Sequence, residues 1–251
     1  MVNFNKVKNV FLYGMSRLRT KELQDEYINW LSFANAGMMN KGNMYCVDFA
    51  IQHLPSAAPI IEIGCFCGLS TNITSYLLAK HHKNNHIIAC DKWIFEGAEG
   101  SDGFLGNSDL THSNYKEFVR NSFIRNVKTF SKSNLPYAIE EFSDDFFQLW
   151  NDNKTCKDVF NREITLGGNI SFAYIDGNHS YEFAKRDFLN VDKNLEPGGF
   201  VFFDDSADYY SFGSSTLMRE IKRNKAYELI MKNPNYLFRK KWGYNSIPRQ
   251  L

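Results

Sequence analysis

Between residues 58 and 240, short apolar runs that close on a glycine or an acid alternate with longer stretches of helical periodicity. This alternation constrains the chain more than any other feature. A strand buried on both faces reads as a continuous apolar run, and a helical crossover is what returns the chain to lie parallel beside it. Such runs stand at residues 59–63 (PIIEI), 86–90 (HIIAC), 136–140, 169–175 (NISFAYI) and 200–203. Helices are expected over 70–83, 115–130, 181–195 and 215–223, the third stopped by a turn at Glu196-Pro197-Gly198-Gly199. Runs at 227–231 and 236–239, separated by a short link containing Pro234, read as an antiparallel hairpin. Five βα units and a closing hairpin predict an α/β fold. Its sheet is doubly wound, Rossmann-like, mostly parallel and seven-stranded, with the antiparallel hairpin at the C-terminus.

The expected organisation is an N-terminal helical extension, residues 1–57, followed by the main domain, residues 58–251. In the extension Leu18, Leu23, Tyr27, Trp30, Leu31 and Ala34 recur at helical spacing, Gly37 is a stop, and a second helix runs over 44–54 before Pro55. A polar insertion at about 93–113 interrupts the main domain. Its stretch 96–111 is too long for an ordinary connection and is a candidate lid. The extension is assigned a lid or dimerisation role. Tyr13, Tyr27 and Trp30 suit either a face between two copies or packing on their own domain.

A net charge of +1, with no basic run longer than Arg239-Lys240-Lys241, itself read as a solvated strand end, argues against a nucleic-acid partner. No apolar run approaches the roughly 18–20 residues of a membrane span, and no cleavable leader is visible, so a cytoplasmic protein is expected. Five widely spaced cysteines, an odd number, read as reduced packing residues. With 22 Phe and 13 Tyr, some aromatics are expected to line a pocket for a small-molecule acceptor.

In a doubly wound sheet, ligands bind at the carboxyl ends of the strands, where the strand order reverses. The polar residues at those ends are Glu62 and Gly64, Asp91, Asp176, and Asp204-Asp205. The first strand leads into Glu62-Ile63-Gly64-Cys65-Phe66-Cys67-Gly68-Leu69-Ser70, whose two glycines let backbone pass close to a ligand at a helix N-terminus. Phe66 replaces the middle glycine of a dinucleotide fingerprint, which counts against NAD or FAD. Asp91 follows Gly68 by 23 residues, near the offset at which an acid accepts from ribose hydroxyls.

The segment EIGCFCGLS resembles the first motif of class I S-adenosylmethionine-dependent methyltransferases, in the form used by the catechol O-methyltransferase group. LEPGG followed by FVFFDD resembles the fifth strand of that superfamily. YIDGNHSYE is most similar to the metal-dependent sugar and macrolide O-methyltransferases of the macrocin and mycinamicin type. The resemblance covers about residues 58–240. It implies that Gly64, Phe66, Gly68 and Ser70, with Glu62 and Asp176 alongside, hold S-adenosylmethionine. Asp91 would take its ribose, and Ser143 would lie near its adenine. Asp176, Asp204 and Asp205 would bind Mg²⁺ or Mn²⁺, and His179 matches the proposed general base, with Asp176 beside it at the reacting centre.

The chemistry of these residue types agrees. Three carboxylates at two neighbouring strand ends form a hard oxygen set, and a histidine there could take a proton near neutral pH. His112, in the insertion, is a rival base. The expectation is a metal-dependent O-methyltransferase of natural-product type. A metal-independent methyltransferase and a catalytically silent cofactor-binding protein are the alternatives.

Overall fold

Alternation within the strands decides which helices cover which face of the sheet. The computed structural model describes residues 9–10, 12–14, 18–94, 103–210 and 212–244. In chain order the elements begin with α1 (Glu26–Ala34), α2 (Lys41–Gln52), β1 (Ile60–Ile63), α3 (Leu69–Lys80) and β2 (Ile87–Cys90). They continue with α4 (His112–Phe130), β3 (Tyr137–Ile139), α5 (Ser143–Asn151), β4 (Thr155–Lys157) and β5 (Glu163–Thr165). The last are β6 (Ile170–Ile175), α6 (Tyr181–Asn194), β7 (Leu195–Phe203), α7 (Ser214–Arg223), β8 (Tyr227–Lys232) and β9 (Tyr236–Lys240).

The seven-stranded sheet has the order β3-β2-β1-β6-β7-β9-β8, parallel from β3 to β7, with β9 antiparallel to both of its neighbours. The fold class predicted from the sequence is the one found. The chain winds outward from β1 through β2 to β3 and then returns to place β6 on the other side of β1. The switch point therefore lies between β1 and β6.

Every residue of β1, β2 and β6 is buried. Ile61, Ile63, Ala173, Ile175, Val201 and Phe203 face the helices α5, α6 and α7, where Phe146, Phe188 and Ile221 meet them. Ile60, Phe172, Tyr174, Phe200 and Phe202 face the opposite layer, formed by α1, α2 and α3. Ile28, Leu31, Val47 and Ile51 of the first two helices are essentially inaccessible to solvent. At about 1.5–3 kcal/mol for each large aliphatic side chain buried, they make that layer part of the main core. Asp25 caps α1 by accepting from Ile28 N at 3.0 Å, and it joins α1 to α3 by accepting from Lys80 Nζ at 2.7 Å. Tyr27 packs on Tyr76, while Trp30 meets the edge of Phe130 and Tyr13 that of Tyr209.

Three local expectations are revised. The turn expected at 196–199 lies inside β7. Leu195 already pairs with Ile170, and the register slips before Phe200 meets Phe172, with Gly198 at φ +86°. Helix α5 and the small β4–β5 hairpin were not anticipated. At the far edge Lys240 is fully buried and donates to the carbonyls of Asp192 and Leu195 at 2.6 and 3.0 Å, where α6 runs out of intrahelical donors. The proposed lid falls largely on residues 95–102, outside those described; residues 104 and 111 form an antiparallel bridge. Among the described residues no helix is long and apolar enough to cross a membrane.

Candidate active site

The parallel ladder extends one residue past each strand and sets the polar residues along a single edge. Asp91 N donates to Ile139 O, Gly64 N to Cys90 O, Asp176 N to Ile63 O and Asp204 N to Ile175 O. The four strand ends thus stand in register.

On the β1 side, Gly64 has φ +79°, and a Cβ there would lie 2.2 Å from the Asp176 carbonyl oxygen. Only glycine allows β1 and β6 to approach this closely. Gly68 has φ +85° and opens α3. Phe66, at φ +43°, holds a left-handed conformation that costs a non-glycine residue about 1–2 kcal/mol. Asp91 offsets that cost: its Oδ2 accepts from Cys65 N at 2.8 Å and Phe66 N at 3.0 Å, and its Oδ1 accepts from Trp93 N at 2.7 Å. Trp93 Nε1 donates to Phe66 O at 3.0 Å. Asn35, just past α1, donates to Cys67 O at 3.0 Å. With the Cys65 thiol as a fourth, weaker donor, the roughly four acceptor positions of Asp91 are engaged, and a ligand hydroxyl would compete with that thiol.

Glu62 and Ser70 are turned toward each other. Ser70 Oγ donates to Glu62 Oε1, and Thr71 Oγ1 donates to Glu62 Oε2 at 2.6 Å. Burial pushes Glu62 up to about 7, against the pull of those hydroxyls. Neither Glu62 nor Ser70 lines the cavity that opens beside them.

That cavity, about 570 Å³, lies at the switch point and is lined by Gly64, Asp91, Ser143, Asp176, Gly177 and Asp187, among others. Its size suits a small-molecule cofactor. Burial raises Asp91 despite its three N–H donors. Burial raises Asp176 well above the carboxylate range, and the nearby charges of Asp204, Asp205 and Glu62 add to the effect. Asp187, on α6, is pushed up to about 6 by burial, while a hydrogen bond with Ser143 holds it down.

On the β7 side, Asp205 has φ +46°. Its N–H donates to Asp204 Oδ1 at 2.8 Å, its carbonyl accepts from Ser214 Oγ at 2.9 Å, and its carboxylate stands 3.4 Å from His179 Nε2. Ser214 N donates to His179 O at 3.2 Å, which ties the two loops together. Phe212 flanks the imidazole at 5.5 Å between ring centroids. His112 opens α4 with its N–H on Gly103 O and does not line the cavity.

Asp204 was expected to share a metal with Asp176 and Asp205. Its carboxylate instead accepts four hydrogen bonds: Oδ1 from Asn43 Nδ2 and Asn235 Nδ2, each at 2.6 Å, and from Asp205 N; Oδ2 from Tyr174 OH at 2.8 Å. Each oxygen offers about two lone-pair positions, so Oδ1, with three donors, does not fit as a metal ligand, and Oδ2 has one position left beside the Tyr174 hydroxyl. Among the described residues no three His, Cys, Asp or Glu side chains converge as a metal-holding group.

Residues 61–206, more than half of the chain, match the family profile described as a methyltransferase domain. The chain belongs to that family. Solved structures of the same fold include the O-methyltransferase NovP, 17% identical with TM-score 0.52, covering 83% of this chain and 83% of that one. TomG from Streptomyces achromogenes, an O-methyltransferase involved in tomaymycin synthesis and solved with S-adenosylmethionine, is 12% identical with TM-score 0.52, covering 96% and 100%. CalS11, a TDP-rhamnose 3'-O-methyltransferase of calicheamicin biosynthesis, is 16% identical with TM-score 0.50, covering 80% and 77%. No curated protein matches the sequence. In this methyltransferase Gly64, Asp91, Asp176 and Ser143 line one cavity, Phe66, Gly68 and Ser70 do not, and His179 and Asp205 stand on the neighbouring β6 and β7 loops. Asn43, Tyr174, Asp187 and Asn235 were not anticipated.

Proposed function

We propose that the chain is an S-adenosylmethionine-dependent O-methyltransferase acting on a hydroxyl of a small molecule, of sugar or natural-product type. The observation that carries this reading is a cofactor-sized cavity at the switch point, next to a histidine–carboxylate pair held by two loops. The residues fit the cofactor. Gly64 and Asp91 line the cavity near the N-terminus of α3, Asp91 is assigned a ribose hydroxyl in competition with the Cys65 thiol, and Ser143 and Asp187 line the cavity with them. When bound, S-adenosylmethionine supplies a sulfonium methyl group, and its transfer to a hydroxyl oxygen yields a methyl ether, S-adenosylhomocysteine and a proton.

His179 is assigned the proton. Asp205 orients the imidazole and stabilises the imidazolium that forms, the arrangement expected of a base and its orienting group. Acids outnumber bases along the cavity lining, with Glu141, Asp144 and Asp145 beside Asp91, Asp176 and Asp187 against Lys92 and Arg186, and this balance suits a cationic ligand. Tyr210 and Phe212 extend the aromatic surface beside His179 and suit an acceptor with a flat or apolar face.

The test is calorimetric titration of S-adenosylmethionine into the protein, followed by a screen of diols, phenols and sugars for methyl transfer with and without EDTA. Binding followed by transfer that EDTA abolishes would establish the metal-dependent form of this reading. Transfer that survives EDTA would assign activation to His179 and Asp205 alone. Absence of cofactor binding would overturn the enzyme.

A further inference from the structure

The loop that follows β7 has every N–H from 204 to 207 accounted for. Asp204 N donates to Ile175 O, and Asp205 N to the Asp204 carboxylate. Ser206 N and Ala207 N both donate to Asn235 Oδ1, at 3.0 and 2.9 Å. Asn235, fully buried, completes the set by donating to Asp204 Oδ1 and to Asn43 Oδ1, the latter at 3.0 Å. Asn233, two residues earlier in the same hairpin turn, donates to Lys21 O and Gly42 O and accepts from Lys21 N. The turn between β8 and β9 thus fastens three distant pieces of chain: the segment before α1, the start of α2 and the loop carrying Asp205.

At the centre of this network is a buried carboxylate with no cation beside it among the described residues. Its four donors are two amides, a phenol and a backbone N–H. Buried charge is tolerated when hydrogen bonds replace its hydration, and here they come from β6, α2, the β8–β9 turn and its own loop, against the upward push of burial and of Asp205 on the Asp204 carboxyl. Oδ1 carries three donors on two lone pairs and is closed to a cation; a divalent ion could reach only the remaining position of Oδ2, where it would compete with the Tyr174 hydroxyl.

We infer that Asp204 is a structural anion and not a metal ligand, and that Asn43 and Asn235 are positioning residues that hold Asp205 against His179. Any divalent ion at this edge is held without Asp204. The link to catalysis rests on the methyltransferase reading; the structural claim does not, and neither measurement below requires methyl transfer.

The test compares thermal midpoints in EDTA for wild type, Asn43→Ala, Asp204→Asn and the double variant. Without metal, a carboxylate whose task is to hold a cation gains from neutralisation, because its repulsion with Asp176 and Asp205 is relieved. A structural anion loses instead. Each single variant is expected to fall by about 5 °C or more, from the cost of stranding charged or amide partners in a domain of this size. The double variant should fall no further than the worse single one. An Asp204→Asn midpoint equal to or above wild type would overturn the inference.

The positioning claim is read from the ring resonances of His179 in a nitrogen–proton spectrum, assigned with His179→Asn. Asn43→Ala should move them, whereas Lys240→Met, a remote buried change that also lowers the midpoint, should not. Unmoved His179 signals in Asn43→Ala would overturn it. Tyr174→Phe removes one donor without changing shape and is read in the same way where Asn43→Ala does not fold. A tenfold or greater loss of Mn²⁺ affinity in Asp204→Asn, with an unchanged midpoint, would also overturn the inference.

Discussion

The two sides of the candidate site are built by different means. The β1 side is local: Gly64 to Ser70 and Asp91 to Trp93 lie within about thirty residues, and one carboxylate fixes the loop through backbone N–H groups. The β7 side reaches further: Asn43 comes to Asp204 from 161 residues away and to Asn235 from 192, and Tyr174 and Asn235 join them from other elements. The first side depends on backbone conformation and space. The second depends on side-chain donors whose partners lie on other elements. Substitutions should therefore fail differently on the two sides.

The largest effect is expected from Gly64→Ala. A Cβ at 2.2 Å from the Asp176 carbonyl, on a backbone at φ +79°, has nowhere to move. A loss of about 3 kcal/mol or more in denaturant unfolding is expected, together with loss of cofactor binding by calorimetry. Retention of both would show that the β1 side is adaptable and break the contrast.

Glu62 comes next, through pH. Its folded value of about 7 lies above the 4.5 of an exposed glutamate, so the folded state binds the extra proton. Its contribution is fully present below pH 4.5 and is lost as pH rises to 7, by about 3 kcal/mol at roughly 1.4 kcal/mol per unit. Glu62→Gln should remove that part of the slope between pH 4.5 and 7 in unfolding measured across that range. An unchanged slope would place the titration elsewhere.

Asp91→Asn keeps an acceptor but turns an NH₂ group toward N–H donors. About 2 kcal/mol of stability and at least a tenfold loss in cofactor affinity are expected. A loss of affinity with no loss of stability would mean that Asp91 serves the ligand and not the loop. The smallest structural effect is expected from His179→Ala, within about 0.5 kcal/mol of wild type and with cofactor binding retained. Methyl transfer, once an acceptor is found, should drop about 10²–10⁴-fold.

The same contrast explains what could be read in the sequence. The β1 side is legible because its requirements are written in adjacent letters: an apolar run, two glycines four apart, and an acid at the end of the next strand. The strands and the hairpin follow from periodicity and turn chemistry of the same local kind. Helix α5 carried a usable signal, with Asp144 and Asp145 in its first turn and Phe146, Phe147 and Trp150 at helical spacing. The β7 side was legible only as far as its acids. Asn43 looks like any polar residue in a helix, Tyr174 like a core aromatic in a strand, and Asn235 like turn filler beside Pro234. Nothing in local patterning links positions 43 and 235, because the bond between them forms only after the sheet has closed.

The helices α1 and α2 lie outside the segment that matches the methyltransferase family, and so do β8 and β9. Yet α1 and α2 cover Phe172, Tyr174, Phe200 and Phe202, and Leu237 of β9 completes that layer. The unit of shared ancestry and the unit of folding are therefore not the same length in this chain. A chain cut to residues 61–206 would keep the family's motifs but only α3 of the three helices in that layer. Asn35 would be gone from the loop after β1, and Asn43 and Asn235 from Asp204, the neighbour of the acid beside His179. The ends of the chain finish that layer and hold the loops of its middle in place.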